Sequence, residues 1–288
     1  MVDFCHIAPT RLIQTFCNHQ ESHLLLAHLV EDDAEYAGWY RNRSNSTSWT
    51  YILDNSAFEM YKQGRPMYPS DKLIQMGKEV GADYIVMSDY PNEPGSKTIK
   101  AAEELAPEFR AAGFGTFFVP QSEIGDFEDY IATFAWAATS PLVDYIGVSI
   151  LGVPNAYGVE KDNKLQRYIS RYTMMCELDR RGILRMARNN GKKIHFLGMV
   201  DGPNEIELCA SQFHIDTWDS SAAIWAGLNS IEFDNSPTGL INGKFEKEVD
   251  FNFDTSDIKL LTLASKNKRY IDELCKKYSN GKAECNEY

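Results

Sequence analysis

The chain has 288 residues, 43% hydrophobic and 12% aromatic, with a formal net charge of -12. This is enough apolar material for a sizeable core in one main domain. It holds no apolar run of membrane-spanning length, and Met1-Val2-Asp3-Phe4-Cys5-His6 lacks the charged-then-apolar order of a signal peptide; a cytoplasmic protein with no membrane partner is expected. The six cysteines form no CxxC pair and the six histidines no HxH or HExxH, so neither a zinc knuckle nor an iron–sulfur centre is indicated. No cofactor is expected, and carboxylates are the remaining route to an ion such as Mg²⁺.

Taken in order, strand-like runs at 4–8, 50–54, 84–89, 116–121, 145–150, 194–199, 214–218 and 230–233 alternate with helical patterns. The strands are β-branched and aromatic with near-continuous apolar centres, such as Tyr84-Ile85-Val86-Met87, the signature of strands covered on both faces. Between them, Pro69-Ser70-Asp71 opens a helix through Leu73, Met76 and Val80 to Gly81; 96–113, 126–139 and 172–190 read likewise. Residues 36–48 are polar and predict a loop, and 152–192 an insertion after the fifth strand that leads into a basic helix. Eight strands, each followed by helix, predict an α/β fold, a (β/α)8 TIM barrel over 1–255, with a C-terminal helix and tail over 256–288. A doubly wound open sheet is the alternative, but the first strand is followed by no glycine-rich phosphate loop.

In such a barrel the chemistry lies at the C-terminal strand ends. Those ends carry Asp54, Asp89, Gln121, Ser149 and Gly198, with Asp216 and Asp219 around the seventh predicted strand. A single aspartate there is more often a cap or turn former, but several on successive strands point to a site. Carboxylates, an amide and flanking aromatics suit a substrate that presents N–H donors and passes through an oxocarbenium-like state, as in glycosyl transfer.

The run Asp54-Asn55-Ser56-Ala57-Phe58-Glu59 resembles the Asp-Ser-Gly-Gly-Phe-Gln motif of the tRNA-guanine transglycosylases, and Asp216-Thr217-Trp218-Asp219-Ser220 resembles their Asp-Met-Phe-Asp-Cys motif. Between them, Ser88-Asp89-Tyr90-Pro91, Val119-Pro120-Gln121, Tyr145-Ile146-Gly147 and His195-Phe196-Leu197-Gly198 followed by Pro203-Asn204-Glu205 fall in the family's order. The resemblance implies Asp219 as nucleophile at C1′ and Asp54 as general base. It further implies that Asp89 accepts from the ring N–H and exocyclic amine of a guanine-like base, that Gln121 and Gly147 read its oxygen edge, and that Phe58 and Leu197, beside Gly198, sandwich the ring. For Phe58, core packing is the competing reading, and for Gln121 a loop-anchoring hydrogen bond.

The chain departs from the family in three places: nothing matches the family's zinc-binding CxCxxC…H element, Val148-Ser149 replaces a Gly-Leu pair, and Ser56-Ala57 replaces two glycines. Loss of the zinc element turns the expectation toward the shorter relatives of bacteria and phages that put 7-deazaguanine derivatives into DNA, with tRNA second. A basic stretch supports a polyanionic partner: from Glu160 to Lys193 there are ten bases against four acids, and Arg181, Arg185, Arg188 and Lys192 recur at helical spacing. A solvated helix with a Glu177–Arg181 pair is the plainer alternative. Flipping a nucleotide out of a duplex costs roughly a few kcal/mol, and Trp39, Tyr40 or Tyr157 could stack in the gap. A nucleoside or sugar hydrolase on the same barrel, or a non-catalytic nucleic-acid-binding relative, remain open at this point.

Overall fold

The computed structural model describes residues 2–43, 49–160, 163–199, 202–233 and 248–280. Eight strands, β1 (Asp3–His6), β2 (Ser22–Leu26), β3 (Thr50–Asp54), β4 (Tyr84–Val86), β5 (Gly115–Phe118), β6 (Tyr145–Ser149), β7 (Lys193–Leu197) and β8 (Thr217–Ser220), form one sheet. Its order is β1-β8-β7-β6-β5-β4-β3-β2, and the described pairings are parallel. With helices between the strands, this is a (β/α)8 barrel fold, as the alternation predicts.

One observed strand was not expected, and one expected strand is not found. The strand at 22–26 is absent from the sequence reading, although all five of its residues are buried. Leu24-Leu25-Leu26 runs straight into the helix Ala27–Asp32 with no glycine, proline or asparagine between them, so its period is masked by the helix. In the other direction, 230–233 is not a strand. The buried Asn267 side chain accepts from the Phe233 N–H at 2.8 Å and donates to the Ile231 carbonyl at 2.9 Å, so these backbone groups are satisfied by a side chain instead of a ladder. The second to seventh expected strands are therefore each one higher in true order, β3 to β8.

The chain forms two compact units, Met1–His23 with Phe196–Tyr288, and Leu24–His195. In the larger unit the strand interior is aromatic: Phe117 stacks on Tyr145 with centroids 5.5 Å apart, and meets His195 edge-on at 5.3 Å. Helix Ser70–Val80 packs on β4, buries Leu73, Met76 and Val80, and stops at Gly81, as predicted. Residues 36–41 are not loop: Asp33 accepts from the Glu35 and Tyr36 N–H groups and starts the helix Ala34–Arg41. The polar run at 44–48 lies outside the described residues. Tyr40 is buried against Tyr51, so it has no ring face to offer a nucleic acid.

In the other unit, helix Ile258–Asn280 packs on the helix Ala222–Leu228 and on Pro203–Ala210, as a closing segment should. His6, at the end of β1, is fully enclosed there and bonds Asp272 at 2.8 Å. The tail 281–288 lies outside the described residues. No helix is long and apolar enough to cross a membrane among the described residues.

Candidate active site

The larger unit gathers three predicted or adjacent residues, Asn55, Asp89 and Gln121, into one hydrogen-bonded chain at the ends of β3, β4 and β5. Asn55, immediately after Asp54, is buried, and its Nδ2 donates to the Met87 carbonyl at 2.7 Å and to Asp89 Oδ1 at 3.0 Å. Its own Oδ1 accepts from the Ala57 N–H at 2.8 Å. The second oxygen of Asp89 accepts from Gln121 Nε2 at 2.7 Å. Asp89 is thus a buried carboxylate held by two amides, and among the described residues it has no ion pair. Burial raises its pKa, while the Asn55 and Gln121 hydrogen bonds oppose that shift.

This arrangement fixes the polarity of Gln121. A carboxylate only accepts, so the amide nitrogen must face Asp89, and the carbonyl Oε1 is left pointing elsewhere. Gln121 is buried, and no hydrogen-bond partner reaches Oε1 among the described residues. The resemblance casts Gln121 as a donor toward a base oxygen; here its uncommitted atom is an acceptor, and the donor role falls to another group.

Asp54 is half-buried, and its Oδ2 accepts from the Ser56 N–H at 3.0 Å. Ser56 stands in the left-handed region at φ 54, ψ 34, a conformation that favours the glycine found in the resembled motif. Its hydroxyl compensates, meeting the His28 N–H at 3.2 Å and His28 Nδ1 at 2.9 Å. Phe58 follows on the helix Ala57–Gln63 and is 49% exposed, which removes the core-packing reading for it. Gly147 is buried within β6, and Ser149 Oγ, at its end, accepts from the Leu151 and Gly152 N–H groups.

In the other unit, β7 and β8 bring Gly198 and Asp219 together. Gly198 donates its N–H to Asp219 Oδ1 at 3.1 Å and accepts from Trp218 Nε1 at 2.8 Å, at a φ of 70 that a side chain would resist. Asp219 is buried, while Leu197 is partly exposed. Asp216 drops out of the strand-end set: β8 begins at Thr217, so Asp216 precedes the strand, and its Oδ1 bonds His214 Nε2 at 3.1 Å.

The basic helix is also corrected. The run expected over 172–190 is two helices, Lys164–Arg180 and Ile183–Asn189, parted at Gly182 with φ 73. Arg181 therefore caps the first helix, where Glu128 holds it by two bonds of 2.7 Å and Glu177 by one of 2.6 Å. Lys192 lies past the second helix and donates to the Ser140 and Val143 carbonyls at 2.6 Å each; burial lowers its pKa. Only Arg185 and Arg188 keep the expected character. They are exposed three residues apart on one helix, and neither makes an ion pair among the described residues.

The sequence reading passed over Asn55, although it stands inside the quoted motif, because an asparagine after a strand reads as a turn former. No group of three or more His, Cys, Asp or Glu side chains is set to hold a metal among the described residues. The described cysteines are thiols, Cys5, Cys17, Cys176, Cys209 and Cys275.

The fold is a (β/α)8 barrel; in its larger unit a buried acid follows β4 and a half-buried one ends β3, and in the other unit β8 carries a buried acid. Among known proteins, no family model matches the chain and no curated sequence does.

Proposed function

We propose that the protein is a base-exchanging transglycosylase that replaces guanine in nucleic acid, DNA ahead of tRNA, with a 7-deazaguanine derivative. The observation that carries this reading is Asp89: a buried carboxylate steadied by the amides of Asn55 and Gln121 and, among the described residues, by no cation, with lone pairs left for a ligand's N–H groups. A carboxylate meant only for stability would be paired with a cation, because burying it against neutral amides is costly.

In this reading the Asp219 carboxylate attacks C1′ of the target nucleotide. The C1′–N9 bond breaks, its electron pair leaves with guanine, and protonated Asp54 gives the departing base its proton. An ester joins Asp219 to the sugar. Asp54 then takes the proton from the incoming base, whose ring nitrogen attacks C1′ and frees Asp219. Asp89 accepts from the ring N–H and exocyclic amine, Gly147 lies on the oxygen edge, and Phe58 and Leu197 bracket the ring. Arg185 and Arg188 supply phosphate contacts. A carboxylate with no cation beside it among the described residues favours a neutral or donor-rich ring over an anionic ligand.

The test is to incubate the protein with duplex DNA and, separately, with tRNA, each carrying labelled guanine, and to count the label released on adding a 7-deazaguanine base. Release from DNA that requires the added base is the expected result. Release from tRNA would reassign the substrate, an abasic product formed without added base would mean a hydrolase, and no release from either would overturn the reading.

A further inference from the structure

We infer that His28 is a positioning residue for the proposed reaction: through the Ser56 hydroxyl it steadies the turn whose N–H holds Asp54, and it releases that turn when the imidazole is protonated. This rests on the transglycosylase reading and adds a pH-responsive support to its general base. The link belongs to a departure from the resembled motif, because the glycine found there has no hydroxyl to offer His28.

The hydrogen bonds fix the protonation state. Ser56 Oγ accepts from the His28 backbone N–H at 3.2 Å and lies 2.9 Å from His28 Nδ1, with no third partner among the described residues. The buried hydroxyl therefore gives its one proton to Nδ1, which makes the imidazole neutral with its proton on Nε2. Protonating Nδ1 would aim two donors at Oγ and leave the hydroxyl proton buried without an acceptor, a conflict that movement of Ser56 relieves. Ser56 stands at φ 54, ψ 34, so its hold on His28 offsets a backbone conformation that a side chain resists. Its own N–H is the one that Asp54 Oδ2 accepts at 3.0 Å, and a shift at Ser56 reaches the carboxylate by that bond. Burial lowers the pKa of His28 from the ordinary 6.5, Glu59 and Asp32 oppose that shift, and Arg65 adds to it. The helices packed on Ala27–Asp32 bring Tyr36, whose hydroxyl accepts from the Leu26 N–H, and Lys72, which Glu31 holds. The release therefore falls on the acid side of neutrality.

The experiment combines two readouts on the full chain. The first is NMR of the His28 ring and the Asp54 carboxyl carbon across pH, in the unaltered protein and in Ser56→Gly. In the unaltered protein the Asp54 carbon should show an inflection at the His28 midpoint. In Ser56→Gly that inflection should vanish and the His28 midpoint should rise, because the bond to neutral Nδ1 is gone. The second readout is kcat for guanine exchange at saturating base. It should fall at least about threefold as pH drops through the His28 midpoint, and His28→Asn, which does not titrate, should lack that limb. An Asp54 inflection that is absent from the unaltered protein or survives in Ser56→Gly would overturn the inference, and so would a kcat limb unchanged in His28→Asn. Coupling seen by NMR with no guanine exchange at any pH would overturn the transglycosylase reading and leave His28 as the group that sets Asp54.

Discussion

Gly198 donates its N–H to Asp219 Oδ1, and its carbonyl accepts from the indole of Trp218, the residue just before that aspartate. One glycine at the end of β7 thereby fixes both the carboxylate and the ring behind it. In the proposed reaction, a carboxylate that must meet C1′ in line gains from such pre-orientation.

Asp219→Asn keeps an oxygen for the Gly198 N–H and removes the nucleophilic charge. Guanine exchange should fall at least about a thousandfold with the unfolding midpoint nearly unchanged. Retained exchange would sink the assigned role.

In the proposed function Asp89 must be ionised to accept two ligand N–H groups, and burial raises its pKa above the ordinary 3.8. Base affinity should therefore fall as pH drops through a midpoint above that value. Stability runs the other way. The folded chain binds this proton more tightly than the unfolded chain, so this group's contribution to stability decreases as pH rises from the unfolded to the folded pKa. Asp89→Asn should flatten that slope and abolish base binding, both measurable by denaturant titration and calorimetry across pH.

At Ser56 two effects oppose each other. The left-handed backbone costs a side chain about 1–2 kcal/mol, and the hydroxyl recovers about 1 kcal/mol for each bond to His28. Ser56→Gly should leave stability within about 1 kcal/mol, whereas Ser56→Ala keeps the strain, loses both bonds and should be less stable than either. An alanine variant as stable as the glycine variant would show that the hydroxyl contributes nothing.

If Arg185 and Arg188 meet phosphates, replacing both by alanine should lower the slope of log affinity for DNA against log salt by about two. Arg181→Ala should leave the slope unchanged, because Glu128 and Glu177 already occupy that guanidinium. An equal effect from Arg181 would contradict the division between free and committed arginines.

The sequence by itself determined the alternation of strands and helices, the (β/α)8 class and the residues at most strand ends, because these follow from local periodicity and punctuation that neighbours in the chain supply. Asp54, Asp89, Gln121 and Asp219 were legible in this way. Only the tertiary structure decided what each could offer. Gln121 became an acceptor because Asp89, thirty-two residues earlier in the chain, took its nitrogen. Arg181 and Lys192 left the basic face because Glu128, Ser140 and Val143 from other elements claimed them. The strand at 22–26 and the non-strand at 230–233 were settled likewise, one by burial on the sheet and the other by Asn267. Hydrogen-bond polarity and charge availability depend on partners distant in sequence, and local pattern carries no record of them.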